Sequence, residues 1–152
     1  NRKEVTNAFD QILDSARRFN PKASISGVSV QKMARQGIEV MIGVKDDPQF
    51  GSAAMFAIGG VFVELLKDFS LRLIPLSGKD AKDMIGELKA HRLLEGYRQH
   101  TPVDKNSLVD ILLKVSALAH QNSSIKEIDL NPIFAYSDGA IAVDARIILK
   151  SK

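Results

Sequence analysis

Apolar residues recur at three- and four-residue steps through Val5, Ala8, Phe9, Ile12, Leu13, Ala16 and Phe19. That spacing lines up one face of a helix. It predicts a helix over 3–19, ended at Asn20-Pro21 because the residue before a proline is driven out of the helical region. The period then drops to two. SGVSVQKM over 26–33 and IEVMIGV over 38–44 alternate as strands do, with Arg35-Gln36-Gly37 as a turn between them. Residues 26–44 are therefore expected to form a hairpin. Its second strand puts Glu39, Met41 and Gly43 on one face. Further strands are predicted over 52–58, 61–66 and 71–76, with 46–51 as a turn. Gly59-Gly60 interrupts this run. It reads either as a loop that lets a phosphate or a partner segment come near, or as a tight turn.

Helical spacing returns after Ser77, a suitable N-cap, and predicts a helix over 79–90 with Asp80 and Asp83 in its early turns. Asp104 opens another over 104–121, with a stripe of Leu108, Ile111, Leu112, Val115, Leu118 and Ala119. Residues 125–149 then form two β-prone runs around Ser137-Asp138-Gly139, the signal of a hairpin. The order of helix, strands, two helices and hairpin predicts an α+β fold, a mostly antiparallel sheet with flanking helices. One domain spanning 1–152 is expected.

The last hairpin carries the candidate chemistry. With Asp138-Gly139 as a two-residue loop, Tyr136 faces Ile141, Phe134 faces Val143, Ile133 faces Asp144 and Asn131 faces Arg146. One face then holds Ile128, Leu130, Pro132, Phe134, Val143, Ala145 and Ile147, and is expected to be buried. The other holds Asp129, Asn131, Asp144 and Arg146. Carboxylate and amide oxygens suit a hard cation such as magnesium. A guanidinium fork suits phosphate oxygens. The set reads as a magnesium–polyphosphate site or, equally simply, as the solvated face of an antiparallel sheet. Pro132, which cannot donate to the ladder, marks either an edge strand or a bulge, and a three-residue loop would set Asp144 opposite Pro132 and separate these groups.

Composition narrows the classes. The chain has 152 residues, 45% of them hydrophobic and 26% charged, as an ordinary globular domain has. Its net charge of +3 is spread without a basic block or a basic–aromatic run, so no nucleic-acid partner is expected. With no cysteine, a disulfide framework, a thiolate metal site and cysteine catalysis are excluded, and a reducing cytoplasm fits. The apolar run at 53–66 is broken by Gly59, Gly60 and Glu64, so no membrane span is expected. His91, His100 and His120 lack metal-ligand spacing. The sequence starts without Met and directly in helical pattern, and is expected to be a fragment or a processed piece.

SVQKM, GIEVMIGVKDDPQFG, GGVFVE, KEIDLNPIF and AVDARIIL, in that order, resemble the nucleotide-binding subunit of ADP-forming acyl-CoA synthetases, the acetate–CoA ligases related to succinyl-CoA synthetase. The resemblance covers essentially the whole chain. LNP followed by VDAR at this spacing, and IGVKDDPQFG, are its specific parts. It also extends to the C-terminal part of a family of bacterial protein acetyltransferases, where such a module would sense a ligand without turning it over. The resemblance implies an ATP-grasp fold, in which α+β subdomains clamp ATP or ADP with magnesium. It implies that Asn131 and Asp144 are magnesium ligands, with Asp129 beside them as support or ligand. Glu39 would face the nucleotide ribose, and Gln31, Lys32 and Met33 would lie along the adenine. Arg146 joins them from the hairpin register, as a phosphate partner. The family's first ATP-grasp segment, with a phosphate-contacting lysine and a relaying histidine, has no counterpart here. The chain is thus expected to be the C-terminal portion of an ATP-grasp domain, inactive alone, working with a CoA-binding subunit or domain that carries a phosphohistidine. A degenerate module used only for subunit contact is the third reading.

Overall fold

A computed structural model describes residues 1–60, 67–96 and 101–150. They fall into two compact bodies, Asn1–Met33 and Ala34–Lys152. The strand expected over 61–66 lies outside the described residues.

The first body is built on helix α1, Arg2–Phe19. A capping box starts it: the Asn1 side chain accepts the Glu4 backbone N–H at 3.1 Å, and the Glu4 carboxylate takes the Asn1 amine at 2.8 Å. Arg17 and Arg18 sit in the last turn, where cations complement the helix dipole. The predicted stripe is present, but Val5, Phe9 and Ile12 are exposed and no residue of α1 is buried.

Residues 23–37 carry neither helix nor strand, so the strand expected over 26–33 and the hairpin over 26–44 are not formed. Alternation makes a strand only where a neighbour takes up the backbone hydrogen bonds and a core covers the apolar side. Here Val30 is 92% and Met33 90% exposed, and no described strand pairs with this segment.

The second body holds six described strands: β1 (Ile38–Asp47), β2 (Gly51–Ile58), β3 (Phe69–Leu73), β4 (Ile125–Tyr136), β5 (Gly139–Ala142) and β6 (Ala145–Leu149). Their order is β3-β2-β1-β4-β5, with β6 also pairing β4, and every described pairing is antiparallel. Helices α2 (Gly78–Gly86) and α3 (Lys105–Gln121) cover one face. The core between them joins Val40, Ile42 and Val44 of β1, Phe56 and Ile58 of β2, and Ile128 and Ile133 of β4 to Met84, Leu108 and Leu112. This is the α+β architecture expected. Among the described residues no helix is long and apolar enough to cross a membrane.

The helix expected over 79–90 stops at Gly86. A contact distant in sequence takes over from there. Buried Asp68 accepts the backbone N–H groups of Lys89 and Ala90 at 3.0 and 2.8 Å. These bonds hold the chain in a turn that leads into a short 3-10 helix, His91–Glu95. Asp68→Ala leaves both donors without this partner, and is expected to cost about 2 kcal/mol of stability in a urea titration.

The last hairpin departs from expectation in two ways. Tyr136 pairs with Gly139 and Phe134 with Ile141. The loop is therefore Ser137-Asp138, and the register is shifted by two from that predicted. A two-residue shift leaves each side chain on its original sheet face. In addition, β4 is bulged against β1: Val40 pairs with Ile133 but Ile42 with Leu130. The extra residue at Asn131-Pro132 reverses which face points inward. Ile128 is buried before the bulge, and Ile133 and Ala135 after it. Phe134 is thus half-buried and not core as expected; Val143, Ala145 and Ile147, expected on the same buried face, are exposed, and Ile147 is so although it pairs with buried Ile128, on a strand that pairs with β4 alone among the described strands.

Candidate functional site

The sheet face away from the helices carries Glu39 and Asp129 among the predicted residues. Because Val40, Ile42 and Val44 point inward, Glu39, Met41, Gly43 and Lys45 point outward. Across the β1–β4 ladder Glu39 pairs with Phe134, Gly43 with Asp129 and Lys45 with Glu127. Gly43 has no side chain, so the space beside Asp129 stays open. A cavity of about 460 Å³ lies there, floored by Met41, Met55 and Leu71 and edged by Lys45, Glu127 and Asp129.

On the other side of β4, Asp129 pairs with Arg146 and Leu130 with Ala145. Continued through the break between β5 and β6, this register sets Asn131 level with Asp144. The sequence had set Asn131 opposite Arg146 instead. The shift of two therefore pairs Asp129 with Arg146 and sets Asn131 and Asp144 level with each other two rungs further along, beyond Leu130–Ala145.

These pairs differ in electrostatics. Arg146 Nη2 lies 2.7 Å from Glu127 Oε1 and 3.7 Å from Asp129 Oδ2. One guanidinium therefore offsets two half-buried carboxylates. Asp144 is exposed, and its Oδ1 accepts the next residue's backbone N–H, from Ala145, at 2.9 Å. Asn131 is also exposed. Among the described residues no group of three or more His, Cys, Asp or Glu is placed to hold a metal. An amide oxygen and one carboxylate still fit magnesium, which is commonly bound by one or two protein oxygens, with water and substrate phosphates completing the shell.

Gly59-Gly60 forms a turn, with Gly60 at a φ of +66°. The close approach at Gly59 is to the outward strand end: its N–H bonds the Glu39 carbonyl at 2.7 Å, and a Cβ there would stand 3.0 Å from the Glu39 Cβ. Gln31, Lys32 and Met33 belong to the first body, all exposed, with Gln31 Nε2 3.5 Å from Ser29 Oγ.

Sequence reasoning missed Glu127, the nearer partner of Arg146. Its signal was available: Glu127 lies two residues before Asp129, hence on the same face of the strand. It also missed Phe134 as the neighbour of Glu39, because the bulge that puts it there has no mark in the alternation.

The model of a family described as the ATP-grasp domain matches residues 1–149. The chain belongs to the ATP-grasp family. This ATP-grasp chain is 50% identical over 149 residues to the acetate–CoA ligase (ADP-forming) I subunit beta of Pyrococcus furiosus, covering 98% of itself and 64% of that subunit. It also resembles the dinucleotide-forming acetyl-coenzyme A synthetase 1 of Ca. Korarchaeum cryptofilum. The structure of that enzyme with coenzyme A, Ca-AMPCP and HgCl+ matches at a TM-score of 0.93 and 47% identity, over 97% of this chain and 65% of that one. A second structure of it, with coenzyme A, acetyl-coenzyme A and a phosphorylated phosphohistidine segment, matches at a TM-score of 0.94 and 46% identity, over 99% and 67%. The fold is that of the ATP-grasp family, and the chain spans about two thirds of the length of these relatives.

Proposed function

We propose that this ATP-grasp chain is the C-terminal portion of the nucleotide-binding part of an ADP-forming acetyl-CoA synthetase. The observation that carries the proposal is the β4–β6 register, Asp129 with Arg146 and Leu130 with Ala145, which when continued sets Asn131 level with Asp144, in a chain 50% identical to a subunit named for that activity. In the whole protein, acetyl-CoA and phosphate give acetyl phosphate and CoA. Acetyl phosphate passes its phosphoryl group to a histidine of the CoA-binding partner and leaves as acetate. The phosphohistidine then passes that group to ADP, forming ATP. The phosphohistidine segment and the Ca-AMPCP seen in the Korarchaeum enzyme support both halves of this sequence.

Within it, Asn131 and Asp144 hold the magnesium ion that accompanies the nucleotide, and Asp129 supports them. When bound, the ion supplies positive charge against phosphate oxygens. Arg146, oriented by Glu127 and Asp129, presents its remaining N–H groups to the transferred phosphoryl group, where charge develops. Glu39 accepts from the ribose hydroxyls, and Gln31, Lys32 and Met33 lie along the adenine. A cytoplasmic site of action follows from the CoA and nucleotide pools such a reaction draws on.

The test is an assay of the whole protein, with its CoA-binding partner, for ATP formed from acetyl-CoA, ADP and phosphate. ATP formation dependent on all three is expected. Nucleotide binding without ATP formation would contradict the synthetase and leave a sensing module.

A further inference from the structure

Residues 35–37, just before β1, are fastened to the tip of the β4–β5 hairpin. Arg35 Nη2 donates to Asp138 Oδ1 at 3.0 Å and to Oδ2 at 3.1 Å. The same guanidinium lies 4.6 Å from the centroid of the Tyr136 ring, a cation–π contact. Tyr136 Oη donates back to the Arg35 carbonyl at 2.7 Å. Gly37 passes so close to the ring that a Cβ would stand 2.7 Å from Tyr136 Cε1 and 2.8 Å from the Ala135 carbonyl oxygen. The Tyr136 carbonyl in turn accepts the N–H of Asp104, the N-cap of α3, at 2.7 Å. The hairpin tip is therefore tied to both the helix layer and the entry of β1.

This clasp is solvent-exposed, and an exposed ion pair adds little to stability. Its effect lies in where it sits. Glu39 follows Arg35 by four residues, Phe134 precedes Tyr136 by two, and Glu39 and Phe134 are partners in the ladder. A cavity of about 450 Å³ is lined by Glu39 and Phe134 together with Arg35, Tyr136, Asp138 and Thr101. The clasp forms one wall of the space beside Glu39 and fixes both strands on which the Glu39–Phe134 rung stands.

We infer that Arg35, Tyr136 and Asp138 are positioning residues that hold Glu39, and the cavity beside it, in place for the sugar of a bound nucleotide. The inference rests on the reading that Glu39 meets the nucleotide. A side chain used for positioning acts by keeping the binding group within a fraction of an ångström of its working place, so its loss weakens binding without unfolding the protein.

The experiment is calorimetric titration of the whole protein with Mg-ADP, alongside its thermal midpoint, for Arg35→Ala, Arg35→Lys, Tyr136→Phe and Glu39→Ala. Arg35→Ala is expected to raise the Kd by about 5- to 10-fold with the midpoint unchanged. Arg35→Lys, which keeps the charge over the ring and beside Asp138, should recover most of that loss. Tyr136→Phe, which removes the bond to the Arg35 carbonyl, should fall between them. If Glu39→Ala weakens binding but Arg35→Ala does not, the clasp inference alone is overturned. If Glu39→Ala leaves the Kd unchanged, the Glu39 reading fails and takes this inference with it. A midpoint that falls together with affinity in Arg35→Ala, with no recovery by Arg35→Lys, would make the clasp structural only and also overturns it.

Discussion

Asp144→Asn lowers turnover of the whole protein by about 100-fold or more, with its thermal stability nearly unchanged. The two effects separate because Asp144 is exposed and bonds only the backbone amide of the next residue among the described groups. The Asn side chain still offers an oxygen to that amide, so folding loses little. Surface substitutions of this kind stay within about 0.5 kcal/mol. The lost negative charge, by contrast, belongs to the one carboxylate of the two groups proposed to hold the nucleotide's magnesium, in a reaction whose catalysis is positioning and charge stabilisation. Asp110→Asn is the control. Asp110 is an exposed carboxylate paired with Lys114 along α3, and its loss should leave turnover unchanged. Turnover of Asp144→Asn within twofold of the parent at saturating magnesium would end the assignment of Asp144.

The second large effect is on the scaffold. Phe56→Ala is expected to destabilise the fold by about 3–5 kcal/mol, read as a lower denaturant midpoint with unchanged slope. Phe56 is 0% exposed. It pairs with Ile42 on one side and Ser70 on the other, in the strand between β1 and β3. Its ring fills the layer between sheet and helices, on the side opposite Met55 and the open cavity. Truncation there removes transfer energy and leaves a void that neighbouring strands, fixed by their ladders, close only in part. A loss below about 1 kcal/mol would mean that the sheet and helices do not share this core.

Several features of this architecture were legible in the sequence because each rests on a local pattern. Val40, Ile42 and Val44 alternate with Glu39, Met41 and Gly43, and both faces came out as the period requires. The stripe from Leu108 to Ala119 placed α3, begun by Asp104 as expected. Asp129 and Arg146 were assigned to one sheet face, and they are partners. Features that failed depend on contacts distant along the chain. Alternation over 26–33 looks like a strand, but only a neighbouring strand could make it one. The turn at Lys89-Ala90 that replaces the last expected turn of α2 is held by Asp68, which precedes the helix in sequence and reaches it only by folding. The bulge at Asn131-Pro132 was marked only by Pro132, which has no N–H for the ladder and fits an edge strand equally; the alternation is silent there because Ile133 and Ala135 are as apolar as Pro132 and Phe134. Ser137-Asp138-Gly139 contains two overlapping two-residue loops, and the difference between them is the register shift of two. That shift keeps every side chain on its face, so the candidate residues stayed together although their partners were misassigned.

Titration of ADP into the whole protein, with magnesium and with it chelated, tests the central claim most directly. The claim is that Asn131 and Asp144 link nucleotide binding to the metal. In the parent protein, magnesium should tighten ADP binding by at least about 10-fold, or 1.4 kcal/mol. In the double variant Asn131→Ala, Asp144→Asn, binding with magnesium should fall to the magnesium-free value, while the magnesium-free value stays where it was. A double variant that keeps the full magnesium dependence would contradict the claim and place the metal on other residues.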